Sequence, residues 1–257
     1  KEMNILFSDI RDFTSMSEKM SPVQNFNFLN SYLGRVGPII RRNEGFIDKF
    51  IGDSIMALFP GNADSALQTA IEIQKEVREH NRQLIRKNEN AIRVGIGIHT
   101  GPLILGTIGE HERMDGTVIS DAVNLASRIE GLTKFYDASI LISGDTLQKL
   151  NDPMQYRFRM LDLVRVKGKE ESVSVIEIFD GMSDYLIELL VTTKADFERG
   201  VNLYQSGKFD EALEFFNRVI KVNPNDKPAL LYVQRAEHYH RHGIPPEWSG
   251  IEALHEK

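Results

Sequence analysis

From Met3 to His99 the apolar residues switch between two spacings, and the order of those switches leaves few folds open. A strand buries alternate residues or a short continuous run, whereas a helix buries every third or fourth. Residues 3–8 read as a buried strand ending at Asp9, followed by a polar turn over 10–15. Ser21-Pro22 opens a helix, with serine at the cap and proline in the first turn. That helix carries Phe26, Leu29, Tyr32, Leu33, Val36 and Ile40, and Gly45 is expected to end it. Residues 46–50 and 54–59 are short strands around Gly52-Asp53, a hairpin dipeptide. A second helix is predicted over 63–87, and 92–99 alternates strictly as a strand does. Residues 103–108 are expected to pair back on that strand. The order β-α-β-β-α-β is the split βαβ, ferredoxin-like pattern. A helix over 121–130, stopped by Gly131, and strands at 138–142, 156–166 and 173–179 complete the α+β portion.

After Asp180-Gly181 the strand signal stops, so the expected division is 1–181 and an all-α extension at 182–257. Gly200, Gly207, Ala212, Phe216 and Pro224 fit the positions of one tetratricopeptide repeat. One repeat cannot bury its own apolar face, so the extension must lean on the first domain, on a partner or on its own copy.

Charge and composition exclude several functions. A net charge of −6 argues against a nucleic-acid binder, which carries a basic domain. With no cysteine, disulfides, zinc-thiolate sites and cysteine nucleophiles are impossible. No run approaches the ~18 apolar residues that span a bilayer. A cytoplasmic setting is expected. The chain opens at the start of a strand, which reads as a piece of a longer protein with an upstream sensor or regulatory segment.

Two aspartates, Asp9 and Asp53, stand at a strand end and a hairpin turn that a ferredoxin-like sheet makes neighbours. Two carboxylates plus phosphate oxygens suit magnesium, although a Gly-Asp turn alone is common. Asn124 and Arg128 lie four apart on one helix face, a pairing suited to ribose and phosphoryl groups or simply a solvated face. Arg157, Arg159, Arg165, Lys167 and Lys169 form a basic stretch opposed by Asp162 alone. It suits a polyphosphate or an ordinary charged edge strand. His238, His240 and His242 alternate at a spacing that could hold a metal, but no carboxylate or thiolate completes the set.

Together the segments Leu6–Thr14, Asp48–Asp53, Val94–Gly101, Thr117–Arg128 and Val166–Lys169 resemble, in order, the catalytic domain of class III nucleotidyl cyclases. The resemblance covers residues 2–180 and implies a ferredoxin-like nucleotide cyclase domain. By that resemblance Asp9 and Asp53 bind metal with the backbone carbonyl of Ile10. Lys49 and Thr117 select the base, and Phe13, Thr14 and Lys167 meet the polyphosphate. Asn124 orients the ribose and Arg128 serves the transition state. Two magnesium or manganese ions per site, ATP as substrate and a homodimer with sites between protomers are implied, with no nucleic-acid partner. Thr117 where other cyclases carry aspartate marks the subgroup IIIb, of adenylate specificity. Pro102 stands where some cyclases place an arginine, and Ser120 where glycine is common. The alternatives are a guanylate cyclase, disfavoured by Lys49, a silent nucleotide-binding or dimerisation module, disfavoured because every catalytic position is filled, and a tail acting as an interaction adaptor.

Overall fold

The computed structural model describes residues 1–110, 113–165, 172–244 and 248–253. The chain forms two compact units, Lys1–Pro153 and Met154–Lys257. The first contains β1 (Glu2–Ile10), α1 (Phe13–Ser17), α2 (Pro22–Arg42), β2 (Phe46–Ile51), β3 (Ser54–Phe59), α3 (Ala63–Arg86) and β4 (Val94–Pro102). It continues with β5 (Ile104–Glu110), β6 (Arg113–Ile119), α4 (Asp121–Tyr136), β7 (Ile140–Ser143) and α5 (Gly144–Gln148). Its main sheet runs β7-β4-β1-β3-β2, with β1 antiparallel to both β3 and β4, and β7 parallel to β4. This is the ferredoxin-like arrangement that the periodicity predicts.

The core explains the order. β1 is buried along nearly its whole length because it is paired on both edges and covered on its faces. α2 begins with a complete capping box: the Ser21 hydroxyl accepts from the Gln24 amide and the Gln24 side chain accepts from the Ser21 amide. Asn4, buried on β1, donates to the carbonyls of Phe59, Gly61 and Asn62 and accepts from the Thr100 hydroxyl. One amide thereby satisfies the backbone where β3 turns into α3.

Three expectations need correction. Residues 103–108 do not pair back on β4. β5 pairs with β6 in a separate two-stranded sheet, with Ile104 opposite Ile119. Pro102 has no amide hydrogen to continue the ladder, and the chain departs there, leaving Ile104 and Leu105 exposed. Gly131 does not stop α4, which runs on to Tyr136. The buried side chains of Leu132, Thr133 and Tyr136 outweigh the ~1 kcal/mol that a mid-helix glycine costs. Gly45 does not end α2: the helix stops at Arg42, capped by Asn43, and Glu44 takes the left-handed conformation, while Gly45 is needed for space, since a Cβ there would fall 2.3 Å from the Phe59 ring.

The second unit holds β8 (Phe158–Arg165), β9 (Ser172–Ile178), α6 (Asp184–Gln205), α7 (Phe209–Val222), α8 (Lys227–His242) and β10 (Glu252–Ala253). β8 pairs antiparallel with β9 and parallel with β10. The repeat positions do what the spacing predicts. A Cβ on Gly200 would meet the Phe216 ring at 2.7 Å, and Gly207 turns the chain at φ +73°. Ala212 and Phe216 are fully buried. The helices lean on their own unit's strands: the Tyr232 hydroxyl donates to the Leu161 carbonyl, and Arg235 pairs with Asp162 at 3.1 Å.

Among the described residues no helix is long and apolar enough to cross a membrane.

Candidate active site

The site starts from β1. Its register against β4 places Asp9 opposite Gly95, and its register against β3 brings the β2–β3 turn alongside. Gly52 takes φ +63° in that turn, a conformation glycine adopts without strain. Asp53 Oδ2 then accepts the Ile10 amide at 3.1 Å, and the Ser54 hydroxyl donates to Asp9 Oδ1. The two aspartates that the sequence pairs are therefore neighbours, held by one backbone and one hydroxyl donor.

Burial first, and the Asp9 charge second, push the Asp53 carboxyl up to about 6. A third carboxylate, which the sequence reading passes over, joins them. Burial pushes Glu130 on α4 up to about 7, and the Asp9 charge adds to it. The Arg11 guanidinium opposes that rise without cancelling it. Glu130 reaches this place because β4 lacks side chains there. A Cβ on Gly97 would sit 2.2 Å from the Glu130 amide nitrogen, and one on Gly95 would sit 2.2 Å from the Thr133 hydroxyl and 3.0 Å from Glu130 Oε1. The signal available in the sequence was the alternation Gly95-Ile96-Gly97, which clears one strand face for a helix.

Asn124 and Arg128 share a face of α4, as predicted, with Asn124 exposed and Arg128 half-buried. At 100° per residue Arg128 points about 200° from Glu130. The Asn124–Arg128 face is thus turned away from β4 and from the paired aspartates of the same protomer. The helix start is fixed by Ser120, which accepts from the Ala122 amide at 3.0 Å and donates to the Pro102 carbonyl. Two of the three departures from the cyclase pattern, Pro102 and Ser120, are in contact.

Lys49 lies on β2, with its Nζ 3.2 Å from Asp48 Oδ2. Thr117 lies on β6 opposite Gly106. Phe13 begins α1 and stacks with Phe28 at 6.1 Å between ring centroids, and Thr14 beside it is exposed. Lys167 falls outside the described residues, as does Lys169. The basic stretch before them is not a polyphosphate surface throughout. Arg159 is 1% exposed and donates to Glu177 at 2.8 Å and to Asp226 at 2.7 and 3.2 Å. Arg157 pairs with Asp180. In the tail His240 meets Asp210 at 2.7 Å, and the His238 and His242 rings stack on each other.

Among the described residues, no group of three or more His, Cys, Asp or Glu side chains is placed to hold a metal alone. A half-buried pair of carboxylates with an adjacent backbone carbonyl is a hard-oxygen donor set. It suits magnesium or manganese completed by phosphate and water. The residues present fit such ions.

Residues 1–188 match the family described as the adenylate and guanylate cyclase catalytic domain, and 197–226 match the tetratricopeptide repeat. The chain belongs to the cyclase family. It is 48% identical over 184 residues to an adenylate cyclase of Anabaena cylindrica, covering 69% of this chain and 37% of that protein. It is 40% identical over 245 residues to the terminal-differentiation-specific adenylate cyclase of Dictyostelium discoideum, covering 91% of this chain and 11% of that protein. The chain thus spans only a minor part of these relatives. Among solved structures, the adenylyl cyclase CyaB of P. aeruginosa superposes with a TM-score of 0.62 at 30% identity, covering 69% of this chain and 93% of that one.

Proposed function

We propose that this cyclase-family chain is the catalytic part of an adenylate cyclase. It converts ATP to 3′,5′-cyclic AMP and pyrophosphate at sites shared between two protomers. The observation that carries this reading is the split of the site. The aspartate pair lies where Glu130 faces β4, while Asn124 and Arg128 face the other way on α4. One protomer therefore presents two halves of a site in different directions, and a twofold axis would bring each half to its complement. Phe46, Phe50 and Ile51 on β2, with Ile104 and Leu105 on β5, leave apolar surface exposed for that pairing.

In this reading Asp9, Asp53 and the Ile10 carbonyl of one protomer would hold two magnesium or manganese ions. Bound there, the ions supply activation of the ribose 3′ oxygen and neutralisation of phosphate charge. Lys49 and Thr117 of the other protomer read the adenine edge, the lysine donating and the threonine accepting. Asn124 orients the ribose so that its 3′ oxygen lies in line with the α-phosphorus. Arg128 neutralises charge growing on the α-phosphoryl, and Phe13, Thr14 and Lys167 hold the leaving pyrophosphate. Positioning and charge stabilisation provide most of the rate in such transfers. A guanylate cyclase is the second reading, and Lys49 speaks against it. We keep 1–181 as the catalytic domain and 182–257 as its helical tail, with a cytoplasmic setting and an upstream regulatory region in the whole protein.

The test is complementation. Asp53→Ala and Arg128→Ala proteins are each nearly inactive. Mixed, about half of randomly paired dimers carry one intact site, so activity returns to roughly a quarter of wild type. Cyclic product from ATP and from GTP is measured with manganese. A mixture that stays inactive while heterodimers form overturns the shared site, and preference for GTP overturns the substrate.

A further inference from the structure

Adjacent residues on a regular strand point to opposite faces, so neighbours such as Asp48 and Lys49 cannot meet. Here they do, at 3.2 Å between Oδ2 and Nζ. The reason is a break in register. Ile47 faces Ala57 and Lys49 faces Met56 on β3, which leaves Asp48 as an extra residue on β2. Such a bulge re-aims side chains and is common beside active sites. The Asp48 side chain is 11% exposed, and its Oδ2 is buried with no hydrogen-bond donor of good geometry. Lys49, 40% exposed, supplies the opposing charge and keeps its outer side open.

We propose that Asp48 is a positioning residue for substrate selection: the bulge turns its carboxylate onto the Lys49 ammonium and fixes where that cation can meet a purine edge. The inference rests on the reading of Lys49 as a base-selecting residue. A buried carboxylate oxygen that faces one cation is costly to strip of it. The ion pair therefore limits the rotamers of a long, flexible side chain that would otherwise sample many positions. An ammonium held at one point donates to one ring nitrogen and penalises a base that offers a donor at the same point.

The experiment measures kcat and KM for ATP and for GTP in the wild-type dimer, Asp48→Asn, Asp48→Glu, Lys49→Met and the Asp48→Asn/Lys49→Met double variant. Thermal midpoint and dimer mass are recorded for each. Asp48→Asn is expected to raise KM for ATP and to lower the ATP-to-GTP preference, each about tenfold, with kcat changed little, as for a misplaced binding group. Asp48→Glu, which keeps the charge, retains most of the preference even if Asp48→Asn folds poorly. The double variant is no worse than Lys49→Met, because Asp48 acts through Lys49. Additive losses, or equal damage from Asp48→Glu and Asp48→Asn, would overturn the positioning role while leaving Lys49 as the reader. An unchanged ATP-to-GTP preference in Lys49→Met would instead remove the base-reading role and this inference with it.

Discussion

The two units each gather carboxylates, and treat them in opposite ways. In the second unit Glu177 and Asp226 close on Arg159, whose guanidinium also lies 4.1 Å over the Phe197 ring. All three guanidinium nitrogens of that arginine donate to a carboxylate, and the cluster is buried. In the first unit Asp9 accepts the Ser54 hydroxyl and Asp53 accepts the Ile10 amide, and among the described residues no cation pairs with either. Arg11 is within electrostatic range but donates instead to the Ala138 carbonyl. A balanced buried cluster orders the fold. An unbalanced one costs the fold and is open to a ligand that brings positive charge.

The largest break in this comparison is catalytic. Asp9→Ala or Asp53→Ala should lower cyclisation by at least about a thousandfold, the scale expected when charge stabilisation at the reacting phosphate is lost. The thermal midpoint of the metal-free protein should not fall. A variant that keeps most of its rate with manganese would show that the pair is not the metal site.

The converse variant lies in the second unit. Arg159→Met leaves Asp226 and Glu177 buried without a counter-charge, so unfolding free energy should drop by about 3–5 kcal/mol. Asp226 also caps α8 by accepting from the Ala229 amide, which ties the loss to the tail. Urea midpoints measure it. A shift below about 1 kcal/mol would mean the cluster is not the anchor that its burial implies. Removing 184–257 should have a related effect, since it strips Asp226 from Arg159.

What the sequence made legible follows the same line. Asp9 and Asp53 could be paired from the chain because each stands where a short-range pattern ends, a strand terminus and a hairpin turn. The helix face of Asn124 and Arg128 was equally local. Arg159 was not legible: its partners lie 18 and 67 residues away, and a basic strand looks the same whether solvated or buried. Glu130 was hidden for a similar reason. Its neighbourhood is made by two glycines on β4, more than thirty residues earlier, and the expected stop at Gly131 would have ended the helix before Thr133 could pack there. The pairing of β5 with β6 was missed because a proline and an apolar run describe a turn back as well as a departure.

A milder variant tests how tightly that neighbourhood is built. Gly97→Ala puts a methyl group against the Glu130 backbone, where nothing flexible can give way. Overpacking of this kind costs about 1–3 kcal/mol. Because α4 carries Asn124 and Arg128, kcat should fall along with the midpoint. A stability loss with full activity would show that α4 can shift without moving those two side chains.

The smallest effect is the most specific to the unbalanced cluster. Asp53 rises from 3.8 to about 6 and Glu130 from 4.5 to about 7 on folding. A carboxyl raised on folding contributes stability that is fully present below its unfolded value and lost as pH climbs through its folded value. The metal-free protein should therefore lose stability between about pH 4 and pH 7, the window those two groups span. Asp53→Asn removes one ionisation and relieves the charge on the other, so at pH 8 it should be more stable than wild type by roughly 1 kcal/mol, allowing for solvent screening at a partly exposed site. At pH 4 the difference should vanish. Manganese should stabilise wild type at pH 8 and leave Asp53→Asn nearly unmoved, since the variant has lost half of the donor pair. Thermal melts across pH, with and without the ion, read all of this. If Asp53→Asn is less stable than wild type at pH 8 without metal, the carboxylate pair is balanced after all, and the contrast between the two units fails.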